Sequence, residues 1–137
     1  MKLAMQIGYS GGFEDSVAQV QALEKAGMDI VYVAEAYGYD GVSLMGYLAA
    51  KTDTVQIAAG ILPIYTRTPT LLAMTAAGVD ELSKGRCILG LGASGPQVIE
   101  GFHGVPYDAP IGRTREIVEI CRQVWAREEP VVHDGRY

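Results

Sequence analysis

The chain repeats one pair of elements four times: a short apolar run, then a segment with helical spacing. The runs are Leu3 to Tyr9, Asp29 to Glu35, Val55 to Ile61 and Arg86 to Leu91. Apolar residues occupy both faces of the second run (DIVYVAE), as in strands covered on both sides. Helical segments follow each run. After GlyGly at 11 and 12, Val17, Val20 and Leu23 share a face, with Glu14 and Asp15 in the first turn and Lys25 and Gly27 at the end. Val42 to Thr52 carries Leu44, Met45 and Leu48. Thr68-Pro69 opens the third helix with a capping hydroxyl and a proline at its first position, and Lys84-Gly85 ends it. Leu72, Ala76, Val79 and Leu82 mark its expected buried face. Pro110 starts the last helix, where Ile117, Ile120, Cys121, Val124 and Trp125 form a core stripe. A strand-like VVH at 131–133 and a turn at Asp134-Gly135 close the chain.

Strand-then-helix units predict an α/β fold with a parallel sheet and helical crossovers. Four units are half of a (β/α)8 TIM barrel, which typically needs ~250 residues; a small doubly wound sheet is the rival. Four barrel units leave open edge strands and an uncovered concave face. The expectation is therefore an N-terminal half-barrel: residues 1–137 as a partial domain, a homo-oligomer or a chain lacking a C-terminal half. With 49% hydrophobic and 20% charged residues, the composition is that of a folded globular protein. Eleven basic residues against sixteen acidic ones, with no basic cluster, argue against nucleic acid as a partner. No apolar run approaches a membrane span, and the first strand is too short for a signal peptide. Cys87 and Cys121 lack metal-ligand spacing and read as buried thiols of a cytoplasmic protein.

The stretch LGLGASGPQVIEGFHGVPY, residues 89–107, contains G-x-G-x-x-G at Gly90, Gly92 and Gly95. A dinucleotide fingerprint turns its glycines directly into a helix, with an acid ~20 residues on at the next strand's end. Here Pro96, Gly101, Gly104, Pro106 and Pro110 make 95–109 an irregular excursion with at most one short turn near 97–100. Glu116, at about the right distance, falls inside the last helix. The dinucleotide reading fails. A barrel places its active site at the C-terminal strand ends. Those ends are Gly8-Tyr9, Ala34-Glu35, Gly60-Ile61 and Gly92-Ala93-Ser94, and their small residues leave room for a flat ligand. Glycines that merely ease tight turns are the alternative.

Three stretches carry a family resemblance: LGLGASGPQVIEGFHGVPYDAP with the following RTRE, AAGILPIYTRTP, and PVVHDGRY. They resemble the luciferase-like monooxygenase superfamily, in its branch that uses the deazaflavin coenzyme F420. The resemblance covers essentially all 137 residues, and family members are complete barrels of more than twice this length. It implies an oxidoreductase transferring hydride between F420 and a small organic substrate, with an FMN monooxygenase or an inactive half-barrel as alternatives. It also implies that Gly60 and Ile61 flank a non-prolyl cis peptide backing the deazaflavin ring. Gly92, Ala93 and Ser94 would pass along the cofactor. Relatives carry Asp-His at the second strand's end and a glutamate after the fourth; this chain has Glu35-Ala36 and Gly95, so that acid–base pair does not carry over. In this respect it looks closer to reductases resembling methylenetetrahydromethanopterin reductase. Glu35 is then the candidate proton donor, with a hydrogen-bonded carboxylate as the competing reading. His103 is expected to order its loop and His133 to be exposed. Tyr65 and Arg67 either line the pocket or lead into the Thr68 cap.

Overall fold

The structure, a computed structural model, describes residues 1–8 and 11–137. The end of the first predicted strand, Tyr9, lies outside the described residues. In chain order the elements are β1 (Ala4–Gln6), α1 (Phe13–Lys25), β2 (Ile30–Val33), α2 (Gly41–Lys51), β3 (Gln56–Ala59) and β4 (Leu62–Pro63). Then come α3 (Pro69–Ser83), β5 (Cys87–Ile88), β6 (Leu91–Gly92), α4 (Pro96–Ile99) and α5 (Pro110–Ala126). The sheet runs β1-β2-β3-β5, parallel throughout, with Ala4 opposite Ile30, Ile30 opposite Gln56, and Ile57 opposite Cys87. This is the parallel, helix-crossed sheet that the repeat predicts.

Register assigns the two faces. Ile7, Val31, Val33, Ile57 and Ala59 point toward the helices and are almost fully buried. They meet Val17 and Val20 of α1, Leu44, Met45 and Leu48 of α2, and Leu72, Ala73 and Val79 of α3. Burying each larger aliphatic side chain contributes about 1.5–3 kcal/mol, so this layer holds the half-barrel together. The other face carries Ala4, Gln6, Ile30, Tyr32, Gln56 and Ala58. On it Ala4 and Gln6 are exposed, while Ile30, Tyr32 and Gln56 are half-buried. It forms the concave side.

Helix ends follow the local signals. Thr68 Oγ1 accepts from the Leu71 amide (3.3 Å), and Asp40 caps α2 through the Ser43 amide (2.9 Å). Lys84 and Gly85 both take left-handed backbone at the end of α3, where the Gly85 amide returns to the Asp80 carbonyl (2.9 Å).

Four expectations need correction. Trp125, expected in the core stripe of the last helix, is 45% exposed. Leu82 is 60% exposed, and Ser83 takes the buried place, because the stripe 72, 76, 79 continues one step later at 83. Residues 131–133 form no strand. The third and fourth strands are each split. Gly60 still donates to the Val33 carbonyl of β2 (2.7 Å), but Leu62 donates to Gly90 (2.9 Å) and Ile64 to Gly92 (3.0 Å). Beyond residue 60 the chain thus leaves β2 and continues beside the fourth run, with β4 paired in parallel to β6 one residue out of the β3–β5 register. Gly90 permits the close approach at this shift: a Cβ there would collide with the Ala59 carbonyl oxygen.

Candidate functional site

Parallel strands bring all their C-terminal ends to one rim. There the peptide bond between Gly60 and Ile61 is cis. Gly92 lies directly against it: a Cβ at 92 would stand 3.0 Å from Ile61 Cγ1, and Gly92 pairs with Pro63 two residues beyond Ile61. A Cβ on Gly60 would press on the Tyr32 ring at 3.0 Å. Ala93 packs against the core, whereas Ser94 is exposed with a left-handed backbone (φ 57°) and a carbonyl that accepts from the Tyr107 hydroxyl (3.3 Å). Gly60, Ile61, Gly92, Ala93 and Ser94 therefore form one continuous piece of the rim. After Gly95 the chain makes a single helical turn, α4, and then runs irregularly to Pro110.

Glu35, just after β2, sits beside this rim in a part-buried ion pair. Arg67 Nη1 meets its Oε1 at 2.6 Å and Nη2 meets its Oε2 at 2.8 Å, while Oε2 also accepts the Gly41 amide at 2.6 Å. The side chains are 8% and 14% exposed. Bidentate pairing with a further amide fixes the carboxylate as an acceptor. These are the contacts of a hydrogen-bonded carboxylate, and they hold the Arg67 guanidinium beside it. The Arg67 guanidinium is pushed above its ordinary range, chiefly by its hydrogen bonds to Glu35, against the opposing effect of burial. Burial pushes the nearby Asp40 carboxyl up, but the Ser43 amide and hydroxyl and the Arg67 charge outweigh it, leaving it below the ordinary range.

Sequence reasoning named Arg67 and Glu35 but did not join them, because they are 32 residues apart with no shared motif. Tyr65 turns away from the cap and donates to the Asp108 carbonyl. His103 is exposed in the glycine-rich excursion, its amide bonded to the Val98 carbonyl (3.0 Å) and its ring edge-on to Phe102, as a loop-ordering residue would be. His133 is not exposed: its Nε2 is buried 3.7 Å from Glu116 Oε2, because Glu116 gathers the last residues of the chain through the Arg136 and Tyr137 amides. Both cysteines are free thiols; burial and the Asp80 charge push Cys87 up to about 11. Among the described residues, no cluster of His, Cys, Asp or Glu could hold a metal ion, and no helix is long and apolar enough to cross a membrane.

The profile of the luciferase-like monooxygenase family matches residues 1–137, the whole chain. The chain belongs to that family. A Mycobacterium tuberculosis protein provisionally named a coenzyme F420-dependent oxidoreductase is 45% identical over 137 residues, 98% of this luciferase-like chain and 40% of that protein. The 5,10-methylenetetrahydromethanopterin reductase of Archaeoglobus fulgidus is 33% identical over 117 residues, 85% of this chain and 35% of the reductase. In fold, the coenzyme F420-dependent tetrahydromethanopterin reductase from Methanopyrus kandleri superposes with a TM-score of 0.87 at 20% identity, over 98% of this chain and 42% of that one. The oxygenating constituent of 3,6-diketocamphane monooxygenase from Pseudomonas putida, solved with FMN, gives 0.85 at 19% identity, over 100% and 43%. The luciferase-like chain thus spans well under half the length of these relatives and has the architecture of half their barrel. Its relatives are enzymes, F420-dependent oxidoreductases and flavin monooxygenases among them.

Proposed function

We propose that residues 1–137 are the cofactor-facing half of a barrel oxidoreductase that transfers hydride between coenzyme F420 and a small organic substrate. The observation that carries this reading is the contact of Gly92 with Ile61 at one rim, in a chain 45% identical to a relative named for F420. When bound, a deazaflavin supplies the hydride donor or acceptor; the protein supplies orientation and exclusion of water.

The residues present fit a flat ring. Gly60, Gly92 and Ala93 add no bulk to the concave side, and a side chain at 60 or 92 would press on Tyr32 or Ile61. Ile61 offers an apolar wall. Ser94 offers a hydroxyl and, with Ala93, backbone amides to a polar ring edge. Glu35 acts as a positioning residue: it fixes Arg67 and the first amide of α2 beside the rim. FMN is the second reading, favoured by the fold shared with the FMN-bound monooxygenase. A half-barrel that becomes active only with its complement is a further one, favoured by the uncovered concave face.

Spectroscopic titration of the chain with F420 and with FMN tests the assignment. Micromolar affinity for F420, weakened by Gly92→Val, is the expected result. Binding of FMN alone would replace the deazaflavin with a flavin, and binding of neither would assign cofactor capture to a longer assembly.

A further inference from the structure

Beside the cofactor rim lies a second hollow, of about 430 Å³, bounded by Glu35, Tyr39, Asp40, Arg67, Phe102 and His103 among others. Two aromatic rings stand open in its walls, Tyr39 at 62% and Phe102 at 55% exposure. Neither is loose. Phe13 meets Tyr39 edge-on, with centroids 5.2 Å apart at 82°, and Tyr37 meets Phe102 at 5.5 Å and 77°. Edge-to-face packing of this kind sets a ring's orientation. Both walls are therefore built before anything enters. Exposed aromatic surface gathered round a hollow marks a place where something apolar is received.

The charges of the hollow say what that is. Arg67 spends both terminal nitrogens on Glu35. Asp40 keeps its negative charge through the Ser43 amide and hydroxyl (2.9 and 2.8 Å). Two carboxylates, Glu35 and Asp40, thus face one guanidinium that is already engaged. An entering anion would meet two carboxylates against one guanidinium already paired with one of them, whereas a cation gains from both carboxylate and ring faces.

The geometry points to this hollow as the subsite for a planar aromatic or heteroaromatic ring bearing no negative charge, neutral or cationic, seated against Tyr39 and Phe102. The inference rests on the oxidoreductase reading only in making that ring part of the substrate.

Three probes that share one ring and differ in charge test it: benzamidine, benzamide and benzoate, titrated into the whole chain and followed by NMR. Benzamidine and benzamide are expected to shift resonances of Tyr39 and Phe102 and to bind about fivefold or more tighter than benzoate. Phe102→Ala, at an exposed position, should weaken both by about fivefold while leaving the circular dichroism unchanged. Asp40→Asn keeps a good helix cap and should narrow the gap to benzoate. The proposal fails if benzoate binds as well as benzamide, if Phe102→Ala changes nothing, or if no probe reaches the hollow at millimolar concentration. F420 titrated in parallel separates the two readings. Probes binding without F420 would remove the F420 assignment for this chain and keep the subsite; F420 binding without the probes would remove the subsite and keep the F420 assignment.

Discussion

A guanidinium with two carboxylates beside it is the costliest arrangement at the mouth to disturb. Arg67 and Glu35 are both part-buried, so removing one partner leaves the other charge partly withdrawn from water. Losing one member of a fully buried pair costs about 3–5 kcal/mol, whereas an exposed pair contributes under about 1 kcal/mol. Arg67→Met should therefore lower the unfolding free energy by about 2 kcal/mol in urea titrations. The double variant Glu35→Gln/Arg67→Met should recover part of that loss, since it leaves no orphaned charge. A single variant costing less than about 1 kcal/mol would mean that the pair behaves like a surface ion pair. Nothing in the sequence foretold the pairing. Glu35 follows one strand and Arg67 precedes a helix in the next unit, and only the parallel register of β2 and β3 brings them together. The small residues of the rim were legible because each marks its own strand end; ion pairing across units is not a local property.

Between elements, one polar tie at the opposite end of the sheet is Glu24 of α1. Its Oε1 accepts the Asp53, Thr54 and Val55 amides at 3.0, 2.6 and 2.8 Å, holding the turn that feeds β3. Burial pushes this carboxyl up, but the Thr54, Val55 and Asp53 amides outweigh burial and hold it below its ordinary value of 4.5. A group depressed in the folded state stabilises fully above its unfolded value and loses that contribution as the pH falls through the folded one. The wild-type chain should therefore lose stability on acidification below about pH 4.5, and Glu24→Gln should flatten that limb while lowering stability at pH 7 by about 1–3 kcal/mol. Thermal melts from pH 7 to pH 3 read both effects; parallel curves for the two proteins would refute the tie. At this scale the sequence was a good guide wherever a signal was local. Thr68-Pro69 and Lys84-Gly85 delimit α3 within their own residues. The splitting of the third and fourth strands was not readable, because it depends on how closely Gly90 approaches Ala59 across the sheet. Leu82 misled for a related reason: it is as apolar as its neighbours, and only the phase of the helix against the sheet selects Ser83 in its place.

For the whole molecule, the decisive fact is an arc of strands covered by helices on one side only. Among the described residues, β1 and β5 each have one paired neighbour, and the concave face shows Ala4 and Gln6 exposed, with Ile30, Tyr32 and Gln56 half-buried. On the outside, Ile111 of α5 is 78% exposed beside Val118 and Ala93, and Trp125 is 45% exposed although its indole N–H reaches the Ala73 carbonyl at 3.0 Å. Unpaired parallel edges and apolar helix faces are what a chain covers by association when nothing else covers them. Light scattering on the 137-residue chain should therefore give a mass above that of one copy at tens of micromolar, falling toward one copy on dilution. Ile111→Lys, which adds charge to the open α5 face, should shift that equilibrium toward the single chain by about tenfold. If the chain stayed monomeric throughout and melted cooperatively, the concave face would be self-sufficient, and the half-barrel would need no complement to fold. Were it to associate while Ile111→Lys had no effect, the contact would run along the strand edges instead. Proline substitution in β1 at Gln6 would then be the change that dissolves it: Leu3 and Ile7 bond to β2, so the alternate residues face the open edge, and proline removes the donor there.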